Sequence, residues 1–391
     1  MVGLAVGFDQ VERALEGIRS AAVANPTLVA GGAVAAIVIL AILWVAVRRY
    51  RRPAAATFTR VLGRADTVSV LMHPNPDPDA MATAMGVAHL ADRADADAIL
   101  QYPGEIRHQE NRAFRTVLGL EMERIEDRSD VAGDAVVLVD HNEPRGFTGS
   151  DGVDPDAVVD HHPGDGTGEA FTDVRPNYGA AATVLAEYLE DLGVVPATAE
   201  DGDGEEALPE SVATGLLYGI LSDTNDLTKG ASPAEFEAAA YLSEGIDEDA
   251  LDRIANPQVD AEVLDTRATA ITDRRVEGPF AVSHVGEVSN VDAIPQAADE
   301  LLHLEGVTAV VVTGRNGDDL HLSGRSRDDR IHMGRVLETA TDDIPMASAG
   351  GHARMGGGKL SSEHMAGLGP SDGVSLEDLH DRLIATMSGE R

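Results

Sequence analysis

The chain has 391 residues, with 67 Asp and Glu against 30 Lys and Arg, a formal net charge of −37. That length allows two or three domains, and a hydrophobic content of 43% suffices for packed cores, so the acidity does not mean wholesale disorder. The absence of cysteine excludes disulfides, thiolate metal sites and cysteine nucleophiles, and the acidity argues against a stable long nucleic-acid partner while leaving short phosphate esters open.

Only two of the basic residues are lysines, Lys229 and Lys359, and the acidic excess runs through nearly every segment. This is the pattern of a protein kept soluble in a salt-rich, halophilic cytoplasm, where screening removes most self-repulsion. Residues 8–22 place Phe8, Val11, Leu15 and Ile18 at helical spacing within an N-terminal, extracytoplasmic segment 1–27. From Leu28 to Val47 there are 20 residues without a charge, which as a helix span about 30 Å and predict a transmembrane segment. Trp44 near its end and Arg48, Arg49, Arg51 and Arg52 just beyond predict that the rest of the chain is cytoplasmic, on a single-pass anchor in the cell membrane. Gly31 and Gly32 on an alanine-rich face would let two anchors pair in a homodimer.

After Pro53, short apolar runs alternate with alanine-rich helical stretches, the pattern of a parallel sheet in an α/β fold. Thr67–Met72, Asp97–Leu100, Ala135–Val139 and Ala157–Val159 are predicted strands, and Ala80–Ala91, Ala180–Leu192 and Glu210–Leu221 predicted helices. The acidic stretch Ala197–Glu210, bracketed by Pro196 and Pro209, reads as a solvated loop; it lacks the glycine and final glutamate that a calcium loop requires. A helical region from Ala234 to Ala270 ends the first domain, 57–250, and supplies a linker, 251–278, to a smaller α/β domain, 279–391. In that domain Phe280–His284, Val307–Thr313 and Asp318–Ser323 are predicted strands, the last two joined at a turn around Asn316-Gly317, and Ile294–Leu304 a helix.

Three successive apolar runs end in potential metal ligands: His73, Asp77 and Asp79 after the first, Asp140-His141 after the next, and Asp160-His161-His162 after the third. A fourth piece, with Asp223, comes after the helix ending at Leu221. The carboxyl edge of a parallel sheet is where α/β folds bind ligands. Prolines 74, 76 and 78 keep the first loop extended, and Asp79 is then placed to cap the helix expected from Ala80. A single such aspartate would be a turn or cap residue, but several in one cleft repel one another unless a cation intervenes. A pair of divalent metals about 3.5–4 Å apart resolves that repulsion and generates a nucleophile for phosphoryl transfer; oxygen-rich ligation favours Mn²⁺, with Mg²⁺ or Co²⁺ as alternatives.

These residues resemble the DHH family of phosphoesterases, whose namesake motif stands here as Asp160-His161-His162, with His73-x-x-x-Asp77-x-Asp79, Asp140 and Asp223 in the family's order. The resemblance implies one metal on His73, Asp77 and Asp140 and a second on Asp79, Asp140, His161 and Asp223, with Asp140 bridging. Asp160 would orient a ligand from behind, His162 would face the phosphate, and His141 has no implied role beyond structure. In the second domain, Gly350-Gly351-His352 matches the G-G-H motif of the DHH-associated domain of RecJ-like enzymes, although Met355-Gly356-Gly357 stand where small residues in an A-A-G pattern are common. Arg325 matches the family's phosphate-contacting arginine, with Ser326 beside it and Arg354 and Lys359 as further candidate contacts.

The implied fold is an N-terminal transmembrane helix, a parallel-sheet DHH domain and a DHH-associated domain, with the active site in the cleft between the last two. The implied protein is a haloarchaeal, Mn²⁺-dependent phosphodiesterase. Short oligonucleotides, cyclic dinucleotides or 3′,5′-bisphosphate nucleotides would be attacked by a metal-bridging hydroxide. The alternatives are a membrane-bound nucleotide sensor without turnover and a polyphosphate or pyrophosphate hydrolase.

Overall fold

The computed structural model describes residues 53–164, 166–197, 207–366 and 373–390. The apolar run Leu28–Val47, the amphipathic segment before it and the middle of the acidic loop lie outside them; among the described residues no helix is long and apolar enough to cross a membrane. The chain divides after Pro257 into two units.

The first unit runs α1 (Pro53–Leu62), β1 (Thr67–Leu71), α2 (Pro78–Asp92), β2 (Asp97–Pro103), α3 (Gln109–Val117), β3 (Glu123–Ile125), β4 (Ala135–Val139), β5 (Ala157–Asp160), β6 (Phe171–Val174) and α4 (Ala181–Asp191). Short strands β7 (Val195–Pro196) and β8 (Ala207–Leu208) pair across the acidic loop, then come α5 (Glu210–Asp223), α6 (Pro233–Leu242) and α7 (Glu248–Ala255). The main sheet has the order β3-β2-β1-β4-β5-β6 and is parallel throughout. From β1 the chain winds outward one way to β3 and then the other way from β4 to β6. The reversal opens a crevice beyond the carboxyl ends of β1 and β4.

Val68, Val70, Val137, Val139 and Val159 face the main core with α1, α2, α4 and α5, whereas Leu71, Leu138 and Val158 face a smaller core with Ile125 and Phe147. Burial on both faces is why β4 and β5 are apolar runs and why the one polar residue inside β1, Ser69, is buried with its hydroxyl on Gln101 at 2.7 Å; each fully buried apolar side chain contributes about 1.5–3 kcal/mol. Helices α2 and α5 meet at Gly219, where a Cβ would lie 2.9 Å from the Ala82 Cβ and 3.2 Å from the Asp79 Cα. Glycine there lets α5 approach closely enough for its last residue, Asp223, to reach the sheet's carboxyl edge.

The second unit runs α8 (Ala261–Thr272), β9 (Arg275–Glu277), β10 (Phe280–Glu287), α9 (Ala293–Leu301), β11 (Ala309–Asn316), β12 (Asp319–Ser326), α10 (Met333–Thr341), β13 (Ser348–Gly351), β14 (Met355–Ser361), α11 (Ser362–Met365) and α12 (Leu376–Ser388). Its sheet, β13-β14-β12-β11-β10-β9, is parallel only between β10 and β11. The turn between β11 and β12 is two residues long, Asn316 pairing with Asp319, and Gly317 takes the positive φ (59°) that such a turn needs. One sheet face packs Leu320, Leu322 and Leu360 on α10 and α12; the other packs Ala281, Val310 and Val312 on α8 and α9.

The stretch 251–278, expected as a linker, holds the end of α7, all of α8 and the edge strand β9. The connection is helical, as the sequence suggested, and the buried Val263, Thr266 and Ala270 seat α8 in the second unit, which begins at Gln258. The glycine-rich strands β13 and β14 carried no strand pattern in the sequence, because backbone pairing with β12 rather than alternating side chains defines them.

Candidate metal centre

Each candidate ligand of the first unit is delivered by the end of a regular element. His73 comes one residue beyond β1, after Met72, and its Nδ1 contacts the Pro74 carbonyl at 3.0 Å, which turns Nε2 toward the crevice. Helix α2 starts at Pro78 rather than Ala80, so its cap is Asp77, which accepts the Ala80 N–H at 3.0 Å, and not Asp79 as expected. Proline is suited to the first helical position because its missing N–H would have no helical partner there. Asp79 is fully buried and caps a different helix, accepting the Ala181 and Ala182 N–H groups at 2.6 and 2.8 Å at the start of α4. Asp140 ends β4 in a left-handed conformation (φ 59°), uncommon for a non-glycine residue, while its N–H stays on the Val159 carbonyl at 3.0 Å.

Asp160 organises the next loop. One of its oxygens accepts the His161 N–H (2.8 Å), the His162 N–H (3.1 Å) and His162 Nδ1 (3.0 Å), and the other accepts the Asn142 amide at 2.7 Å. His161 Nδ1 lies 3.2 Å from the Tyr178 carbonyl, which can only accept, so Nδ1 carries a proton and Nε2 is the nitrogen turned toward the carboxylates. His161 Nε2 is 3.3 Å from Asp140, 3.4 Å from Asp223 and 3.8 Å from Asp79. His73 Nε2 is 3.3 Å from Asp140 and 3.5 Å from Asp77. Three overlapping groups therefore have metal-holding geometry: His73, Asp77 and Asp140; Asp79, His161 and Asp223; and Asp140, His161 and His162.

The electrostatics fit a cation. Burial opposes protonation of His73 and His161, yet the close carboxylates of Asp140 with Asp77 or Asp223 push them up to about 10 and about 11. Asp140 is buried but held well below the usual carboxylate range by the same two imidazoles, while burial and neighbouring carboxylates raise Asp79 and Asp223. Protons on the two histidines would thus supply the positive charge that four aspartates demand. Asp140 Oδ1 and His161 Nε2 are both buried and lack a hydrogen-bond partner. Two unsatisfied atoms aimed at one another, in a donor set of oxygens and imidazole nitrogens only, suit a divalent ion that displaces the protons.

His141 stands apart from these groups. It is buried, its Nδ1 donates to the Val139 carbonyl at 2.9 Å, burial lowers it to about 4, and its ring meets that of His73 edge-on. Its Nε2 is buried without a hydrogen-bond partner, and none of the three candidate ligand groups includes it.

In the second unit a cavity of about 470 Å³ opens between the start of α9 and the face of β12 and β14. Arg325, Gly351, His352 and Gly356–Gly358 line it. Gly357 faces open space, its nearest neighbour for an added Cβ being the Leu322 carbonyl oxygen at 3.8 Å, so backbone is accessible to a ligand. Arg325 does not offer a vacant fork: its Nε donates to Asp299 at 2.6 Å and Nη1 to Ser323 Oγ and the Gly324 carbonyl at 3.1 Å. Two expected contacts lie elsewhere. Ser326 is buried and bonds the Thr308 and Asp328 carbonyls, and Arg354 pairs with Asp329 at 2.5 Å. The alternation of β12 explains the first, since Ser323 and Arg325 point to one face and Ser326 to the other. Lys359 pairs with Asp319 at 2.7 Å, and Gly350 neighbours Glu338.

Residues 67–220 match the model of the DHH family, N-terminal domain, and residues 277–369 that of the DHHA1 domain. A probable manganese-dependent inorganic pyrophosphatase of Streptococcus suis is 30% identical over 69% of this chain and 73% of its own length. The chain belongs to the DHH family. An uncharacterized protein of Methanocaldococcus jannaschii is 37% identical over 74% of the chain, and the cyclic-di-AMP phosphodiesterase PdeA of Listeria monocytogenes 26% identical over 68%. The chain spans 57% and 42% of the lengths of these two relatives. An exopolyphosphatase-related protein of Bacteroides fragilis shares the fold, with a TM-score of 0.58, 16% identity and coverage of 86% of this chain and 95% of that one.

In this DHH protein, sequence reasoning missed Asn142, Tyr178 and Asp299. Asn142 had a usable signal, its place two residues after Asp140 in a strand-end loop. The other two act through a backbone carbonyl and a cross-element ion pair, which no local pattern announces.

Proposed function

We propose that this DHH-family chain is a divalent-metal-dependent phosphodiesterase acting on short nucleotides: short oligonucleotides, cyclic dinucleotides or 3′,5′-bisphosphate nucleotides. The observation that carries this reading is the pair of unsatisfied buried atoms, Asp140 Oδ1 and His161 Nε2, 3.3 Å apart among four aspartates. His73, Asp77 and Asp140 would hold one ion and Asp79, His161, Asp223 and the shared Asp140 a second, with Mn²⁺ the preferred metal. Such ions supply Lewis acidity toward a phosphoryl oxygen and acidify water. Asp160 keeps the His162 proton on Nδ1, leaving the half-exposed ring to face the phosphate. The glycine-lined cavity, with Arg325 and His352, would bind a second phosphate or the base. The N-terminal run Leu28–Val47 would anchor this activity on the cytoplasmic face of the membrane in a salt-rich cell, with pairing of anchors giving a homodimer.

The DHHA1 match and the glycine-lined cavity support a nucleotide substrate, as does the cyclic-di-AMP phosphodiesterase activity for which PdeA is named. Pyrophosphate is a second reading, supported by the Streptococcus suis relative. The test is Mn²⁺-dependent hydrolysis of a panel of linear dinucleotides, cyclic dinucleotides, bisphosphate nucleotides and pyrophosphate by the full chain and by Asp140→Ala. Loss of an outer-shell partner already costs 10–100-fold, so removing the shared ligand should cost at least about a hundredfold. Undiminished turnover by the variant would remove the mechanism, and turnover of pyrophosphate alone would favour the second reading.

A further inference from the structure

Behind His161 lies a polar network that no ligand role accounts for. The Arg175 guanidinium forks onto Asp173, with Nε at 2.9 Å and Nη2 at 2.7 Å, and its Nη1 reaches the Tyr178 hydroxyl at 3.0 Å and Glu187 at 2.8 Å. The Tyr178 hydroxyl donates to the same Glu187 oxygen at 2.7 Å, and Tyr188 donates to Asp173 at 2.5 Å. Arg175 and Asp173 are largely buried, with side chains 18% and 17% exposed, so these bonds are shielded from solvent. Residues Arg175 to Tyr178 form a tight turn, the Tyr178 N–H on the Arg175 carbonyl at 2.9 Å, with Pro176 at its second position.

This turn touches the namesake motif at both ends. The Arg175 N–H donates to the Asp160 carbonyl at 2.9 Å, and the Tyr178 carbonyl accepts from His161 Nδ1 at 3.2 Å. Glu187 lies on α4, whose first amides are held by Asp79. The guanidinium therefore ties the residue that sets the tautomer and orientation of His161 to the helix that positions Asp79, and both histidine and aspartate belong to the same candidate ligand group with Asp223. No bond of the network reaches His73 or Asp77.

We propose that Arg175 is a positioning residue for one of the two metals only, the one held by Asp79, His161 and Asp223. Its planar fork, which lysine cannot reproduce, locks the Tyr178 carbonyl against His161. The proposal rests on the reading of the first unit's crevice as a metal centre.

The test measures Mn²⁺ binding directly, by calorimetry and electron paramagnetic resonance, on the full chain in two backgrounds. His73→Asn strips the other ligand group, and adding Arg175→Gln to it should weaken the remaining site about tenfold, the low end of what an outer-shell partner contributes. Asp223→Asn strips the Asp79 group, and adding Arg175→Gln there should leave Mn²⁺ affinity within about twofold. Arg175→Lys should behave as Arg175→Gln. Tyr178→Phe, which keeps the carbonyl and removes only the hydroxyl anchor, should shift affinity in the same direction and by less, and it remains informative if the arginine variants fold poorly. Equal weakening in both backgrounds, or none in either, would overturn the assignment. A wild-type chain that binds no Mn²⁺ would overturn the metal-centre reading as well, whereas normal binding with no effect of Arg175→Gln or Tyr178→Phe would overturn this inference alone.

Discussion

Replacing Asp160 by asparagine keeps size and shape and changes only charge and bonding. The native carboxylate accepts four hydrogen bonds, three on one oxygen from His161 and His162 and one on the other from the Asn142 amide at 2.7 Å. An asparagine oriented to keep the first three turns its own NH₂ toward the Asn142 amide, donor against donor. Three bonds then lose charge assistance, about 1 kcal/mol each, and the fourth is lost at about 1–3 kcal/mol. Because three of them share one oxygen they do not add fully, and the expected destabilisation is about 3–5 kcal/mol. That is a large part of a typical domain stability of about 5–15 kcal/mol. Urea unfolding of the full chain followed by circular dichroism should show the first unit's transition moved down by this amount, with the second unit's unchanged. The exchange variant Asn142→Asp with Asp160→Asn restores one charge-assisted bond in reverse and should recover about 1–2 kcal/mol. A loss below about 1 kcal/mol in Asp160→Asn, or no recovery in the exchange, would refute the view that Asp160 acts by organising this loop.

Two further expectations concern the second unit. Asp299→Asn releases Arg325 from a partly exposed ion pair worth up to about 1 kcal/mol, so tripolyphosphate binding to the full chain with EDTA present should tighten by up to about fivefold; weaker binding would mean that Asp299 orients the guanidinium for the anion instead. His380, whose Nε2 lies 3.1 Å from Thr313 Oγ1, is lowered from 6.5 to about 4, chiefly by burial and further by the nearby His284 and Arg275. The unfolded chain therefore takes up a proton there before the folded one does, and stability should fall as pH drops from 6.5 toward about 4, by about 2–3 kcal/mol in all. His380→Asn should flatten the second unit's acid limb; an unchanged slope would show that other groups govern it.

Much of the first unit was legible along the chain. Its strands are buried on both faces, so β4 and β5 appear as apolar runs and β1 as one interrupted only by Ser69, and the charged and imidazole residues that follow them stand out by contrast. His73, Asp140 and Asp160-His161-His162 were visible for that reason, and the order of their appearance carried the resemblance to the DHH family. Asp77 and Asp79 could be placed in one loop, but which of them caps α2 depended on where a proline-started helix begins, a choice between two aspartates two residues apart. In the second unit the hairpin at Gly317 was legible, while β13 and β14 were not, since glycine leaves no side-chain alternation to track.

By itself, then, the order of amino acids settled which chemical groups stand at the strand ends, because hydrophobic runs and the polar residues that stop them are local properties. Tertiary structure alone decided how those groups converge: that Asp79 faces the start of α4 more than 100 positions further on, that Gly219 admits Asp223 to the crevice, and that Asp299 already occupies Arg325. Each of these depends on the distance between residues far apart along the chain, and sheet order and helix approach set such distances through packing that no short stretch of sequence contains.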